Sequence, residues 1–242
     1  MRFKKKTLIN IYDKVLSYYQ QIIAIMTYII SSSICFYCYK IIIGGSLCED
    51  CWGKLVFVPS DLCGICGRKV IGDCYYCQLN SRSLFLYNFL LSQLILQFKY
   101  GKKYYIGQFF IKLMGNIYKK KDEILIMYIP HYGYKQITTS INSSLLLAYE
   151  FQKEFGGRVI HNVLIKQSKL RQKHTRNYKE RLDNSFKSYT INKILGEKML
   201  KNQNVLLIDD IVTTGSTLLT CGNLIKSCCP KSLQIITVGK VL

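Results

Sequence analysis

The chain has few acidic residues: 14 Asp and Glu stand against 34 Lys and Arg over 242 residues, a formal net charge of +20. That deficit disfavours basic partners and favours anionic ones, whether phosphorylated substrates, nucleic acid or a membrane surface. Lys far outnumbers Arg, and the chain is crowded with Lys, Ile, Asn, Tyr and Phe. Codon bias toward A and T therefore accounts for a large share of the charge. Histidine is scarce too. His131, His161 and His174 show no metal-ligand spacing, and no Ser–His–Asp or Cys–His constellation is suggested. With 3 Pro and 16 Gly, the composition is neither collagen-like nor low-complexity. Long apolar runs are missing as well. Ile22 to Ile34 is interrupted by Thr27 and by Ser31, Ser32 and Ser33, and it is shorter than the roughly 20 residues a spanning helix needs. Behind the basic start Met1-Arg2-Phe3-Lys4-Lys5-Lys6 it mimics a signal peptide, but cysteines follow at once and no cleavage pattern is present. The expectation is an amphipathic helix over 8–30, with a membrane-surface role for 8–34 as the alternative.

Cysteine is abundant instead. Eight of the 11 form four C-x-x-C pairs: Cys35/Cys38, Cys48/Cys51, Cys63/Cys66 and Cys74/Cys77. In a secreted chain this number would suggest disulfides, but paired knuckles read as metal sites in a reducing, cytoplasmic compartment. Two pairs supply the tetrahedral four-thiolate shell of a structural zinc ion, with Gly64, Gly67 and Gly72 forming turns. An iron–sulfur cluster or redox dithiols are the alternatives. Sequential pairing is the simplest, and an interleaved one stays open. Cys221 reads as a small core residue, and Cys228 and Cys229 as incidental.

The rest of the chain alternates. Residues 84–118 read as mostly helical with a break near Gly101. Residues 124–129 read as a buried strand, 138–154 as a helix, 159–165 and 205–208 as strands, 216–228 as a helix and 233–238 as a last strand. Strands alternating with helices predict an α/β fold with a parallel sheet. The expected organisation is an N-terminal helical segment over 1–34, a Cys-rich zinc module over 35–80 and an α/β domain over 84–242.

The chemistry concentrates in Val205-Leu206-Leu207-Ile208-Asp209-Asp210-Ile211-Val212-Thr213-Thr214-Gly215-Ser216-Thr217. An apolar strand meets two carboxylates, then a hydroxyl-rich turn, then a helix. Backbone N–H groups at that helix start favour a phosphate, and Gly215 lets the backbone approach it. Carboxylates beside a phosphate would repel it. They make sense as acceptors for sugar hydroxyls, which describes ribose 5-phosphate. An ordinary strand–turn–helix with a capping hydroxyl needs neither acid.

This segment resembles the signature of the type I phosphoribosyltransferases, in which two acids bind the ribose of phosphoribosyl pyrophosphate and the loop binds its 5-phosphate. The resemblance implies that Asp209 and Asp210 act on the ribose and that Thr213, Thr214, Gly215, Ser216 and Thr217 bind phosphate, with Mg2+ carried on the pyrophosphate. It implies a parallel sheet flanked by helices. A cysteine module ahead of such a domain resembles the ComF family, which is linked to competence and DNA uptake. Phe98-Lys99-Tyr100-Gly101 is similar to that family's Leu-Lys-Tyr signature, and Gln172 with Glu180-Arg181-Leu182-Asp183-Asn184 to its Gln…Glu-Arg-x-x-Asn segment. Lys99, Gln172 and Arg181 are therefore expected to contact substrate. Two features depart from the family. Its Arg-Gly-aromatic-Asn-Gln motif is reduced to Asn142 within Ser140-Ile141-Asn142-Ser143, and the stretch from Gln172 to Arg181 is one residue longer.

The basic stretch Lys166 to Arg181 reads as a solvated loop, or as a hood whose Lys169, Arg171, Lys173 and Arg176 meet pyrophosphate or nucleic-acid phosphates. The resemblance thus implies a phosphoribosyltransferase, or a close derivative, that binds phosphoribosyl pyrophosphate or a related ribose 5-phosphate and is linked to DNA uptake. The alternatives are a non-enzymatic factor binding single-stranded DNA beside an import helicase, and a zinc-stabilised adaptor at the inner face of the membrane.

Overall fold

The computed structural model describes residues 32–70, 74–101, 103–118, 123–131, 142–167 and 188–242. These form two units divided between Gly53 and Lys54. The expected helix over 8–30 lies outside the described residues. In the first unit, strands β1 (Ser32–Ile34) and β2 (Ile41–Ile43) pair antiparallel, and a one-turn helix α1 (Glu49–Trp52) follows Cys48. The turn between the strands closes through Cys35 N–H donating to Lys40 O at 2.9 Å and Tyr39 N–H to Cys35 O at 3.1 Å.

The second unit holds a five-stranded sheet. Its elements in chain order are β3 (Asn80–Leu86), α2 (Phe89–Tyr100), α3 (Tyr104–Met114), β4 (Ile124–Tyr128), α4 (Ser143–Phe155), β5 (Arg158–Val159), β6 (Leu164–Lys166), β7 (Tyr189–Ile191), α5 (Lys193–Leu200), β8 (Asn204–Val212), α6 (Ser216–Lys226) and β9 (Ser232–Lys240). The sheet order is β3-β9-β8-β4-β5, and every neighbouring pair is parallel. The expected α/β architecture, a parallel sheet flanked by helices, is what the chain adopts.

The central strands read as unbroken apolar runs because both faces are covered, as parallel sheets require. Val205, Leu206, Leu207 and Ile208 of β8 and Ile235 and Ile236 of β9 are all buried. Asn88, Asn142 and Asn192 cap α2, α4 and α5 by accepting the N–H three residues on, which satisfies a donor that the first turn leaves open.

Three expectations need correction. Residues 84–86 are strand, not the start of a helix: β3 begins at Asn80 and pairs with β9 at the sheet edge. It was hidden because its buried face carries Ser81 and Ser83, and polar inward positions erase the alternation that marks a strand. The run 159–165 is not one strand. β5 ends at Val159 beside β4, and β6 pairs antiparallel with β7 in a separate ribbon. Cys228 is not incidental: it is buried in the core, where a Cβ on Gly196 would lie 2.7 Å from its sulfur.

Candidate functional site

The topology places the site. Strand β4 has β5 on one side and β8 on the other, so the chain reverses its direction of winding between them. Ligands of open α/β sheets bind outside the carboxyl ends of the strands at such a switch point. Asp209 and Asp210 lie toward the carboxyl end of β8, which runs on through Val212, so both acids sit within the strand rather than after it.

Both acids are buried, with Asp209 8% and Asp210 7% exposed, and each is met by a neighbour that sequence reading did not single out. Ser144 donates to Asp209 Oδ1 at 2.7 Å, and the Asp210 N–H donates to the same oxygen at 2.9 Å. Ser143 donates to Asp210 Oδ2. The ammonium of Lys99 lies 2.5 Å from that oxygen, and Ile211 N–H donates to Asp210 Oδ1 at 2.6 Å. Both serines belong to the first turn of α4. Asn142 fixes that turn by capping it and by donating from Nδ2 to Ile129 O at 3.1 Å, at the end of β4. The available signal was Asn142-Ser143-Ser144 ahead of three leucines, which reads as a helix start. What those hydroxyls face is set by the sheet.

Burial, with Asp210 alongside, pushes the Asp209 carboxyl up to about 7, against the opposing pull of Ser144, the Asp210 N–H and Lys99. His131, just past β4, is exposed, yet partial loss of hydration lowers its basicity; Asp210 opposes that shift, and Lys166 and Lys99 add to it. It is a second neighbour of the site to which the sequence assigned no role.

The turn after β8 is shaped for close approach. Gly215 has φ +76°, the left-handed region, and it occupies the cap position of α6 with no side chain over the helix end. Thr214 and Ser216 hydroxyls lie 3.0 Å apart across it. The Thr217 hydroxyl meets that of Tyr189, whose ring is buried beside α6. Thr213 is exposed at the tip. A helix N-terminus with backbone N–H groups, glycine and hydroxyls is suited to an anion, and carboxylates beside it are suited to accept hydrogen bonds from hydroxyls. Lys166 ends β6, with its ammonium 5.3 Å from the Tyr189 ring centre. Thus Lys99, Asp209, Asp210 and the 213–217 loop are described. Gln172 and Arg181, with Lys169, Arg171, Lys173 and Arg176 of the expected hood, lie outside the described residues.

The cysteines cluster as two sequential groups, Cys35/Cys38/Cys48/Cys51 and Cys63/Cys66/Cys74/Cys77, with the four sulfurs of each within 4.8 Å of one another. All eight are free thiols. Cys38 and Cys48 sulfurs are 3.6 Å apart and Cys66 and Cys74 sulfurs 3.5 Å. Tetrahedral Zn–S bonds of about 2.3 Å put sulfurs about 3.8 Å apart, so both groups fit a structural zinc ion. Burial raises the thiol of Cys35, yet backbone donors at Cys38, Cys48 and Tyr37 bring it down to about 6. Burial likewise opposes the Ser81 hydroxyl and backbone donors that bring Cys63 down to about 7. Burial pushes the thiols of Cys51, Cys74 and Cys77 up instead, so a metal would have to displace their protons to bind all four cysteines of either group as thiolates.

Residues 143–240, which hold α4, the acid pair and the turn into α6, match the family model described as a phosphoribosyl transferase domain. More particularly, the chain is similar to competence protein ComFC of Bacillus subtilis (strain 168), with 26% identity over 190 residues that cover 71% of this chain and 74% of that protein. The ComF-family resemblance read from the motifs is thereby borne out. Among solved structures, a hypoxanthine-guanine phosphoribosyltransferase of Bacillus anthracis has 14% identity and TM-score 0.33 over 61% of this chain and 68% of that one. A second structure of that enzyme gives TM-score 0.31 at the same identity, over 61% and 66%. At that level these likenesses carry no weight for the site.

Proposed function

We propose that this chain is a ComF-like protein that binds phosphoribosyl pyrophosphate, or a related ribose 5-phosphate, in the crevice between β4 and β8, and that it serves DNA uptake. The single observation that carries the reading is the continuity from Asp209 and Asp210 through Gly215 into α6. One strand delivers hydroxyl acceptors and an anion cradle in the order that a ribose 5-phosphate presents them. Lys99 and Ser143 hold Asp210, and Ser144 holds Asp209, so the carboxylates are oriented before ligand arrives. Pentosyl transfer would displace pyrophosphate at the anomeric carbon. Mg2+ on the pyrophosphate would supply charge stabilisation for the departing group. Gln172, Arg181 and the basic hood are the candidates to cover it.

Isothermal titration of the zinc-loaded protein with phosphoribosyl pyrophosphate and Mg2+ tests this. Saturable binding that disappears in Asp209→Asn/Asp210→Asn supports the assignment. Titration without heat in the folded wild-type protein removes it.

A second reading has its own support. Tyr75 and Tyr76, between the ligands Cys74 and Cys77, are 87% and 65% exposed, with Arg68 stacked 3.7 Å over the Tyr76 ring. Exposed rings with cations suit stacking on single-stranded DNA. Such binding would weaken steeply with salt and would fall on replacing Tyr75 and Tyr76 by Ala; retention of full affinity in that variant excludes this surface. An import helicase partner and a cytoplasmic location, at the inner face of the membrane or away from it, complete the proposal. No helix among the described residues is long and apolar enough to cross a membrane.

A further inference from the structure

The second cysteine group is joined to the sheet unit by a dense set of contacts that end on the ribose-phosphate loop. Between Cys63 and Cys66 stands Ile65, 2% exposed. A Cβ on Gly215 would lie 2.5 Å from Ile65 Cγ2 and 3.3 Å from Ile65 O. The left-handed glycine of the loop therefore rests directly on the residue inside the C-x-x-C knuckle. Ile65 is itself gripped from three sides. Its N–H donates to Cys63 Sγ at 3.4 Å. Its carbonyl accepts from the buried ammonium of Lys240 at 2.7 Å. Gly64 before it is pressed on β3, where an added Cβ would meet Arg82 backbone at 2.8 Å. The knuckle is stapled further by Gly64 N–H to Ser81 O at 3.0 Å, Ser83 Oγ to Gly64 O at 3.1 Å, and Cys63 Sγ to Ser81 Oγ at 3.2 Å.

We propose that Ile65 is a positioning residue for the ribose-phosphate loop, and that metal held by Cys63, Cys66, Cys74 and Cys77 sets the loop geometry through it. The inference rests on the reading of that loop given under Proposed function. Closely packed interiors transmit displacement instead of absorbing it. A knuckle opened by metal loss moves Ile65, the residue against which Gly215 packs. Coupling of this kind is reciprocal: if metal tightens ligand binding, ligand must tighten metal binding by the same factor.

The test uses the full chain carrying two zinc equivalents. In wild-type protein, phosphoribosyl pyrophosphate with Mg2+ is expected to slow release of one of the two equivalents to a zinc-selective chelator and to leave the other unchanged. Ile65→Ala keeps all eight thiols. It should retain both zinc equivalents, bind the ligand on the order of ten-fold more weakly, and lose the protection of zinc. Ile65→Leu should restore both properties. Should Ile65→Ala fail to fold, the wild-type release experiment decides alone. Ligand that binds wild-type protein with no effect on either zinc equivalent overturns the coupling. Ligand that fails to bind folded, zinc-loaded wild-type protein overturns the loop reading itself.

Discussion

Lys99 Nζ, in the last turn of α2, lies 2.5 Å from Asp210 Oδ2 in the middle strand of the sheet. The pair is mostly buried, with side chains 22% and 10% exposed. Removing one partner of such a pair leaves an uncompensated charge, which costs far more than a surface ion pair is worth.

Lys99→Met is therefore expected to lower stability by about 2 kcal/mol, less than for a fully buried pair because the ammonium keeps some water. Lys99→Met/Asp210→Asn should recover most of that loss. Urea melts of the two single variants and the double variant close the cycle, and additive losses would show that the pair is not coupled.

The raised Asp209 carboxyl sets a pH dependence. Its ordinary value is 3.8 and its folded value about 7. A raised folded value means that the fold binds the proton more tightly. The contribution to stability is fully present below about pH 4 and is lost as pH rises through about 7. Asp209→Asn should thus stabilise the ligand-free protein at pH 8, on the order of 2 kcal/mol, with the gain vanishing near pH 4. Thermal melts across that range check it. The same variant should lose phosphoribosyl pyrophosphate binding, so stability and binding move in opposite directions.

Gly215→Ala combines a left-handed backbone with a side chain driven into Ile65. The conformational term is about 1–2 kcal/mol and the overpacking about 1–3 kcal/mol. Stability is expected to fall by at least about 2 kcal/mol, read by urea unfolding. Ligand binding should fall beyond detection by calorimetry.

Metal analysis of the purified chain should return two zinc equivalents. Visible absorbance from iron and sulfide would instead revive the cluster alternative. Removal of zinc should expose the Cys63 knuckle to thiol reagents and melt the contacts of Gly64 with Ser81 and Ser83. Amide exchange at residues 63–67 reports that change.

Much of the site was legible in the sequence because its chemistry is written in contiguous residues. Asp209 to Thr217 are one strand–turn–helix, and four C-x-x-C pairs carry their own local geometry. The alternating order also determined a parallel sheet, since a helix between strands brings the chain back in the same direction. The tertiary structure decided what proximity alone can decide. Ser143 and Ser144 lie 67 and 65 residues from the acids they serve and look like any helix start. Ser81 and Ser83 hid β3 until Cys63 and Gly64 were placed against them. Lys240 and Ile65 are separated by 175 positions, and only the folded chain brings them together beneath Gly215. Local patterns specify elements and the chemistry held within a few residues, whereas hydrogen bonds across the sheet depend on register, which no single segment contains.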